Sequence, residues 1–510
     1  MIHDHVQDGA VKADAPAPHF PFSPYKTMSL QENTFGPSDP GDIQDTSILA
    51  NRAPVSVIGI WVVLGIMFGC LTPFRTTLAQ APGGEPREGS DVDLPLDGRD
   101  GRQLLLKNFR PKRQLKVVEH LRDRAAYPVV DVHTHFHYKL RSSERALDDF
   151  VAVMDRNNIA VCASLDGNLD GQLDEHMRFL WQKYRDRFVI YANVDWRGDG
   201  DKNDYASWAC HREGFAKRTA EQLAAAVRRG VSGLKVFKRF GLGYRNPDGT
   251  LIEIDDPRFD PIWEACGQLQ IPVIIHTADP AAFFEPIDEN NERWEELSRH
   301  PDWSFHGEDF PTRDELLEAR NRIVARHPKT QFIGAHVANS SEDLARVGQW
   351  LDQYPNLWVE TASRISEMGR QPFTSREFMI RYADRILFGT DGPWPEARLR
   401  INWRFFETRD ESFDYSEKTP PPQGMWQIHG VDLPPDVLRK LYNQNAARLI
   451  PGVAERLETF RRSASTDSSA VDRIEDDQTL PDTLRELDGQ REQDNTREPT
   501  PPSPTEQSES

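Results

Sequence analysis

Eight short apolar segments, each followed by a helical pattern, dominate residues 127–462, and this alternation restricts the fold more than any other feature. The segments are VVDVHTH (129–135), IAVCASLDG (159–167), FVIYANVDW (188–196), VSGLKVFK (231–238), PVIIHT (272–277), QFIGAH (331–336), LWVETA (357–362) and ILFGTD (386–391). Near-continuous apolar strands alternating with helices imply a parallel sheet covered on its outer side. Eight such units, the last helix being PPDVLRKLYNQNAARLI, predict a closed (β/α)8 TIM barrel. An open doubly wound sheet would need a Gly-rich turn after the first strand, and none is present.

The flanking sequence is of another kind. Residues 1–54 are polar, Pro-rich and without hydrophobic period, the composition of a disordered region. Residues 55–71, VSVIGIWVVLGIMFGCL, are apolar apart from one serine and lie between Arg52 and Arg75. Seventeen residues sit at the lower limit for a membrane span and the upper end for a signal-peptide core. Residues 55–81 therefore predict a signal peptide or membrane anchor, with the protein exported to the cell envelope or periplasm. The barrel would be cytoplasmic if residues 1–81 arise from a misassigned start. Residues 82–126 form a linker and lead-in. Residues 463–510 form an acidic disordered tail with four Arg against thirteen Asp and Glu.

That tail supplies nearly half of the formal net charge of −19, so the barrel itself is mildly acidic. The acidic balance argues against a nucleic-acid partner, which would want a basic face. The four cysteines, Cys70, Cys162, Cys210 and Cys266, have no CxxC spacing, which argues against a disulfide framework or a thiolate metal site. Any metal must be held by nitrogen and oxygen. A small-molecule substrate is the expected partner, and a homo-oligomer is compatible with the sequence.

In a barrel of this kind the reacting groups gather where the strands finish. Strand one ends in His133 and His135, strand four carries Lys235 and Lys238, strand five ends in His276, strand six in His336 and strand eight in Asp391. Side chains two apart on a strand share a side, so His133 and His135 can both face the mouth and bind one cation. His276 and Asp391 approach from other sectors. Three nitrogens, one carboxylate and an open position suit one divalent ion, Zn2+ by preference, in a catalytic site. Each residue alone has a plainer reading, as a core histidine or a turn-opening aspartate; together on separate strand ends they point to a site.

The HxH pair, the histidines after strands five and six, and the Asp of LFGTDGPWP resemble the amidohydrolase superfamily. The nearest branch is the amidohydrolase-2 group, which includes decarboxylases of the aminocarboxymuconate-semialdehyde type. The resemblance covers residues 127–451. It implies that His133, His135, His276 and Asp391 are metal ligands and that His336 stands beside the metal, polarising substrate or moving protons. Some relatives carbamylate a strand-four lysine to bridge two metals. Here one metal is expected, with Lys235 pairing an acidic substrate group; for Lys238 an outward, snorkelling side chain is an equal alternative.

These features predict a metal-dependent hydrolase of a small carboxylated ester, lactone or amide, in which Asp391 carries the proton and His336 steadies the oxyanion. Non-oxidative decarboxylation of an aromatic or unsaturated acid is the alternative, and a non-catalytic exported binding barrel the third. Long loops after strands five and eight predict lids. Their Phe283, Phe284, Trp394, Trp403 and Arg404 suggest an aromatic or carboxylated substrate, with Trp394 a substrate contact. Arg364, after strand seven, is an anion-binding candidate, with surface solvation the favoured explanation.

Overall fold

In the computed structural model, Leu104 and residues 111–140, 142–169 and 171–463 are described. Eight parallel strands follow one another in chain order around a single sheet: β1 (Val129–Thr134), β2 (Ile159–Asn168), β3 (Phe188–Asn193), β4 (Gly233–Val236), β5 (Val273–Ile275), β6 (Phe332–Gly334), β7 (Leu357–Glu360) and β8 (Ile386–Leu387). The segment after β8 runs back along β1. Val132 donates its N–H to Phe388 at 3.0 Å, Asp391 to His133 at 2.8 Å and His135 to Gly392 at 2.7 Å. The sheet thus closes on itself, which leaves no exposed edge and rules out the open doubly wound alternative.

Alternate strand residues build two apolar layers. Leu234, Val236, Val273, Ile275, Phe332 and Val359 face the surrounding helices. Val130, Val132, Val161, Ala163, Leu165, Val189, Ile274, Ile333 and Leu387 fill the barrel interior. Only β4 adds no apolar side chain to the inner layer. Gly233 pairs with Tyr191, and a Cβ there would fall 2.1 Å from the Tyr191 ring, so the phenol occupies the space the glycine leaves. Lys235, next in the same row, pairs with Ile274 of β5 and therefore faces inward.

The outer helices arise where the sequence pattern places them. Helix Glu144–Arg156 buries Leu147, Phe150, Val151 and Met154, one face at helical period, behind a Ser143 cap that accepts from the Ala146 N–H. Helix Arg313–Arg326 starts with a reciprocal capping box between Thr312 and Glu315. The helix that follows β8's long loop, over residues 435–449, is not continuous. Pro435–Arg439 and Asn445–Leu449 are separated by a π-helical turn, Lys440–Gln444. The wider turn lets the Leu441 carbonyl accept from Phe388 N–H at 3.1 Å.

Among the described residues no helix is long and apolar enough to cross a membrane. The apolar segment 55–71, the N-terminal region and the acidic tail beyond 463 lie outside the described residues.

Candidate active site

Simple alternation would turn the β1 histidines the wrong way. Val130 and Val132 point inward, so strict pleating would send His133 and His135 out towards the helices. Between Asp131 and Thr134, however, three steps of β1 span only two of β2, from Cys162 to Ser164. The extra residue is a β-bulge, and it restores His133 and His135 to the interior. A second bulge lies in β2, where Ser164 to Gly167 spans only Ile190 to Ala192 of β3. It delivers Asp166 to the Nδ1 of His135, 2.6 Å away.

Both histidines are thereby oriented by buried acids. His133 Nδ1 lies 2.9 Å from Glu360 Oε1, and His135 Nδ1 lies against Asp166. Each Nδ1 carries the proton it donates, so each Nε2 presents a lone pair. Those two nitrogens lie 3.3 Å apart, and Asp391 Oδ1 lies 3.9 Å from one and 3.6 Å from the other. Three electron-rich atoms converge in a fully buried spot, which is unfavourable unless a cation sits among them. The spacing also fits. Ligands about 2.1 Å from a tetrahedral ion lie about 3.4 Å from one another. His133, His135 and Asp391 thus have the chemistry and spacing of metal ligands.

His276 stands apart from this group. Its ring packs edge-on against His336, centroids 4.5 Å apart, and its Nε2 is 3.5 Å from Asp279. His336 in turn lies 4.8 Å, ring to ring, from His133. The four histidines form an arc, His135–His133–His336–His276, with Asp391 at one end. His336 donates its backbone N–H to Glu360 at 2.7 Å and its Nδ1 to the Ala362 carbonyl at 2.9 Å. Burial, then the neighbouring His276, Arg364 and His133, hold it well below the usual imidazole range. A neutral His336 in this tautomer offers Nε2 as a hydrogen-bond acceptor.

The backbone carrying these groups is strained. His336, Val337, Ala338 and Asn339 have φ of 56°, 56°, 51° and 57°, a left-handed turn without glycine. Each such residue costs about 1–2 kcal/mol, so the surroundings must hold it. Arg320 donates to Ala338 O at 2.6 Å and Arg313 to Asn339 O at 2.5 Å. Asp391 (φ 63°) and Ser363 (φ 56°) are also left-handed, and Ser363 Oγ donates to Asp391 Oδ2 at 3.2 Å. Strain collects at the ends of β6, β7 and β8, around the ligand group.

The cationic candidates resolve differently from one another. Lys235 is buried and inward, beside Phe237. Lys238 does not snorkel outward: it is buried and donates to Asp279 at 2.5 Å, bracing the residue next to His276. Arg364 is also buried, at 1% exposure, which removes surface solvation as its explanation. Its Nη1 donates to Ser363 O, while Nη2 meets no acceptor among the described residues. Trp394 donates to Thr390 O at 2.8 Å and so stays at the mouth beside Asp391. Trp403 and Arg404 are elsewhere. Trp403 stacks on Phe388 in the outer core and Arg404 binds Asp410. Phe283 is fully buried and packs its loop down.

Four residues escaped the sequence reading. Asp166 and Glu360 end strands, and the rule that found the histidines would have found them. Lys139 and Arg398 lie in helices after β1 and β8, where nothing in the sequence marks them as neighbours of Asp391.

A closed barrel whose strand ends carry acid-backed histidines and an aspartate is the framework of a metal-dependent enzyme acting on small molecules. The chain belongs to the amidohydrolase-2 family: the model described as amidohydrolase matches residues 130–452. Members are metal-dependent hydrolases and decarboxylases, and this protein is an enzyme of that hydrolase or carboxy-lyase kind. Among solved structures it is similar to a 2,6-dihydroxybenzoate decarboxylase complexed with 2,6-dihydroxybenzoate, at 17% identity over 63% of this chain and 99% of the other, TM-score 0.39. It is similar to 5-carboxyvanillate decarboxylase of Novosphingobium aromaticivorans, which holds manganese, at 14% identity over 65% and 99%, TM-score 0.37. It is also similar to a protein assigned as a 2-pyrone-4,6-dicarboxylic acid hydrolase from Acinetobacter baumannii, at 12% identity over 63% and 98%, TM-score 0.35.

Proposed function

We propose that the enzyme hydrolyses a small carboxylated ester, lactone or amide, using one zinc ion held by His133, His135 and Asp391, with His276, which lies farther along the arc beside His336, completing the set by the family pattern. The observation that carries this reading is the convergence of two acid-backed Nε2 atoms and Asp391 Oδ1 within a buried space. A divalent ion in that position supplies Lewis acidity and makes a bound water more acidic. Asp391, held on its other oxygen by Ser363, is placed to accept the proton of the attacking water and return it to the leaving group. His336, kept neutral and presenting Nε2, can accept a hydrogen bond from the substrate or from water beside it. Lys235 and Arg364 supply positive charge for the substrate's carboxylate.

Decarboxylation is the second reading. It is favoured by the buried guanidinium of Arg364, because a cation lacking a hydrogen-bond acceptor at Nη2 suits a carboxylate or the charge left after CO2 departs. The reactions separate by product. The purified enzyme is screened against esters, lactones and aromatic acids: acid release without gas marks the hydrolase, and CO2 release marks the lyase. Metal analysis of wild type and His133→Ala tests the shared premise. Wild-type protein that retains no zinc, manganese or other divalent ion would end both readings.

A further inference from the structure

Two cations press on Trp394 beside Asp391. The Lys139 ammonium lies 4.2 Å from the indole ring centre and the Arg398 guanidinium 3.3 Å. Lys139 is committed to the loop: its ammonium donates to the backbone carbonyls of Asp391 and Gly392. Arg398 is not. Among the described residues its guanidinium meets no carboxylate and no hydrogen-bond acceptor, only the face of Trp394. The charges around it worsen its position, since Lys139 and Lys418 share its sign, and Lys418 in turn feels Arg299. The acid acting on it is Asp391, whose Oδ1 faces the two histidines.

Like charges gathered beside a single shared carboxylate, Asp391, that already faces the histidines repel one another, and a further anion seated among them would relieve that cost. A guanidinium stacked on an indole keeps its N–H edge free, which matches a carboxylate bidentately. We propose that Arg398, fixed by Trp394 and assisted by Lys139, is a rim subsite for a carboxylate of the substrate that does not itself react. This selects substrates carrying a spectator carboxylate in addition to the reacting group. The proposal rests on the active-site reading above. It is separate from Arg364, which sits in the β7 loop and would serve the inner end of the substrate.

The test uses the full chain with benzoate and its neutral isostere benzamide as probes, measured by calorimetry and tryptophan fluorescence with and without a chelator. Benzoate is expected to bind at least about tenfold more tightly than benzamide, and Arg398→Met to lose at least about tenfold of the benzoate affinity, as expected for truncating one half of a charge pair. Arg398→Lys should recover part of it, benzamide affinity should not move, and the thermal midpoint of Arg398→Met should not fall. Benzoate affinity unchanged in Arg398→Met, equal affinity for the two probes, or no benzoate binding at all would overturn the subsite. Charge-selective binding that survives chelation in protein that never retains a metal would leave the subsite standing and remove the metal reading. Metal-dependent turnover with a KM insensitive to Arg398→Met would do the reverse.

Discussion

The Nδ1 of His133 and the Oε1 of Glu360 lie 2.9 Å apart, both fully buried, and that same oxygen accepts the backbone N–H of His336. One carboxylate therefore sets the tautomer of His133, a proposed ligand, and pins the neighbouring strained turn. Glu360→Gln replaces one oxygen with a donor in a place where His133, His336 and Ala362 all donate. Metal affinity is expected to fall about 10- to 100-fold, the usual cost of losing an orienting partner. Competition with a chromophoric chelator measures it, and an affinity equal to wild type would deny Glu360 this role.

Arg320 is a fully buried guanidinium whose hydrogen bonds go to the Ala338 carbonyl and the Asn321 side chain, with no acid in contact among the described residues. Burial, with Arg313 and Arg346 nearby, lowers it to about 9. Such a costly placement is explained by the left-handed turn it secures. Arg320→Met leaves a buried carbonyl without its donor, at about 1–3 kcal/mol in urea denaturation. It also frees the strained turn, so kcat should fall by more than KM rises as His336 loses its fixed position. A variant that loses stability while keeping kcat would show that the turn holds without it.

The barrel was legible because its evidence is periodic and local: apolar segments recur with helices between them, and all eight strands lie where the pattern predicts. The HxH pair was legible as a pair, since residues two apart share a face. Its direction was not. The bulge after Asp131 is a mismatch between two strands distant in sequence, and neither strand reveals it alone. The same holds for Asp166, which reaches His135 only through the bulge in β2. Lys238 was ambiguous because its partner, Asp279, lies in another loop, and Arg364 because its burial depends on segments distant in sequence. Pairings across the mouth are set by loop packing, and composition does not encode them.

His176 adds a pH dependence outside the ligand group. Its Nε2 bonds Ser164 Oγ at 2.8 Å behind β2, and burial lowers it from 6.5 to about 4, with Asp166 opposing and His137 adding to the shift. The unfolded chain takes up this proton near pH 6.5 while the folded chain resists it until about 4. The resulting stability is present above pH 6.5 and is lost as pH falls towards 4. Between pH 7 and 4.5, wild type should lose about 2–3 kcal/mol more than His176→Gln, from 1.36 kcal/mol per pK unit. Parallel urea titrations at the two pH values give the difference, and equal losses would place the acid sensitivity elsewhere.

Gly233 and Tyr191 give the most direct test of how the barrel interior is packed. A Cβ at 233 would stand 2.1, 2.4 and 2.5 Å from three ring carbons of Tyr191, and backbone pairing on both sides of β4 prevents retreat. Gly233→Ala should cost about 3 kcal/mol or more, at the upper end of overpacking penalties. The phenol oxygen is buried with no hydrogen-bond partner among the described residues, so Tyr191→Phe should be neutral or stabilising. Because the clash is with the ring, Tyr191→Phe should not rescue Gly233→Ala, whereas Tyr191→Ala should rescue part of it. The coupling in that double-mutant cycle is expected to be about 1–3 kcal/mol. A cycle with no coupling would mean that the two side chains do not share the interior space, and the assignment of β4's inward row, Lys235 included, would have to be reversed.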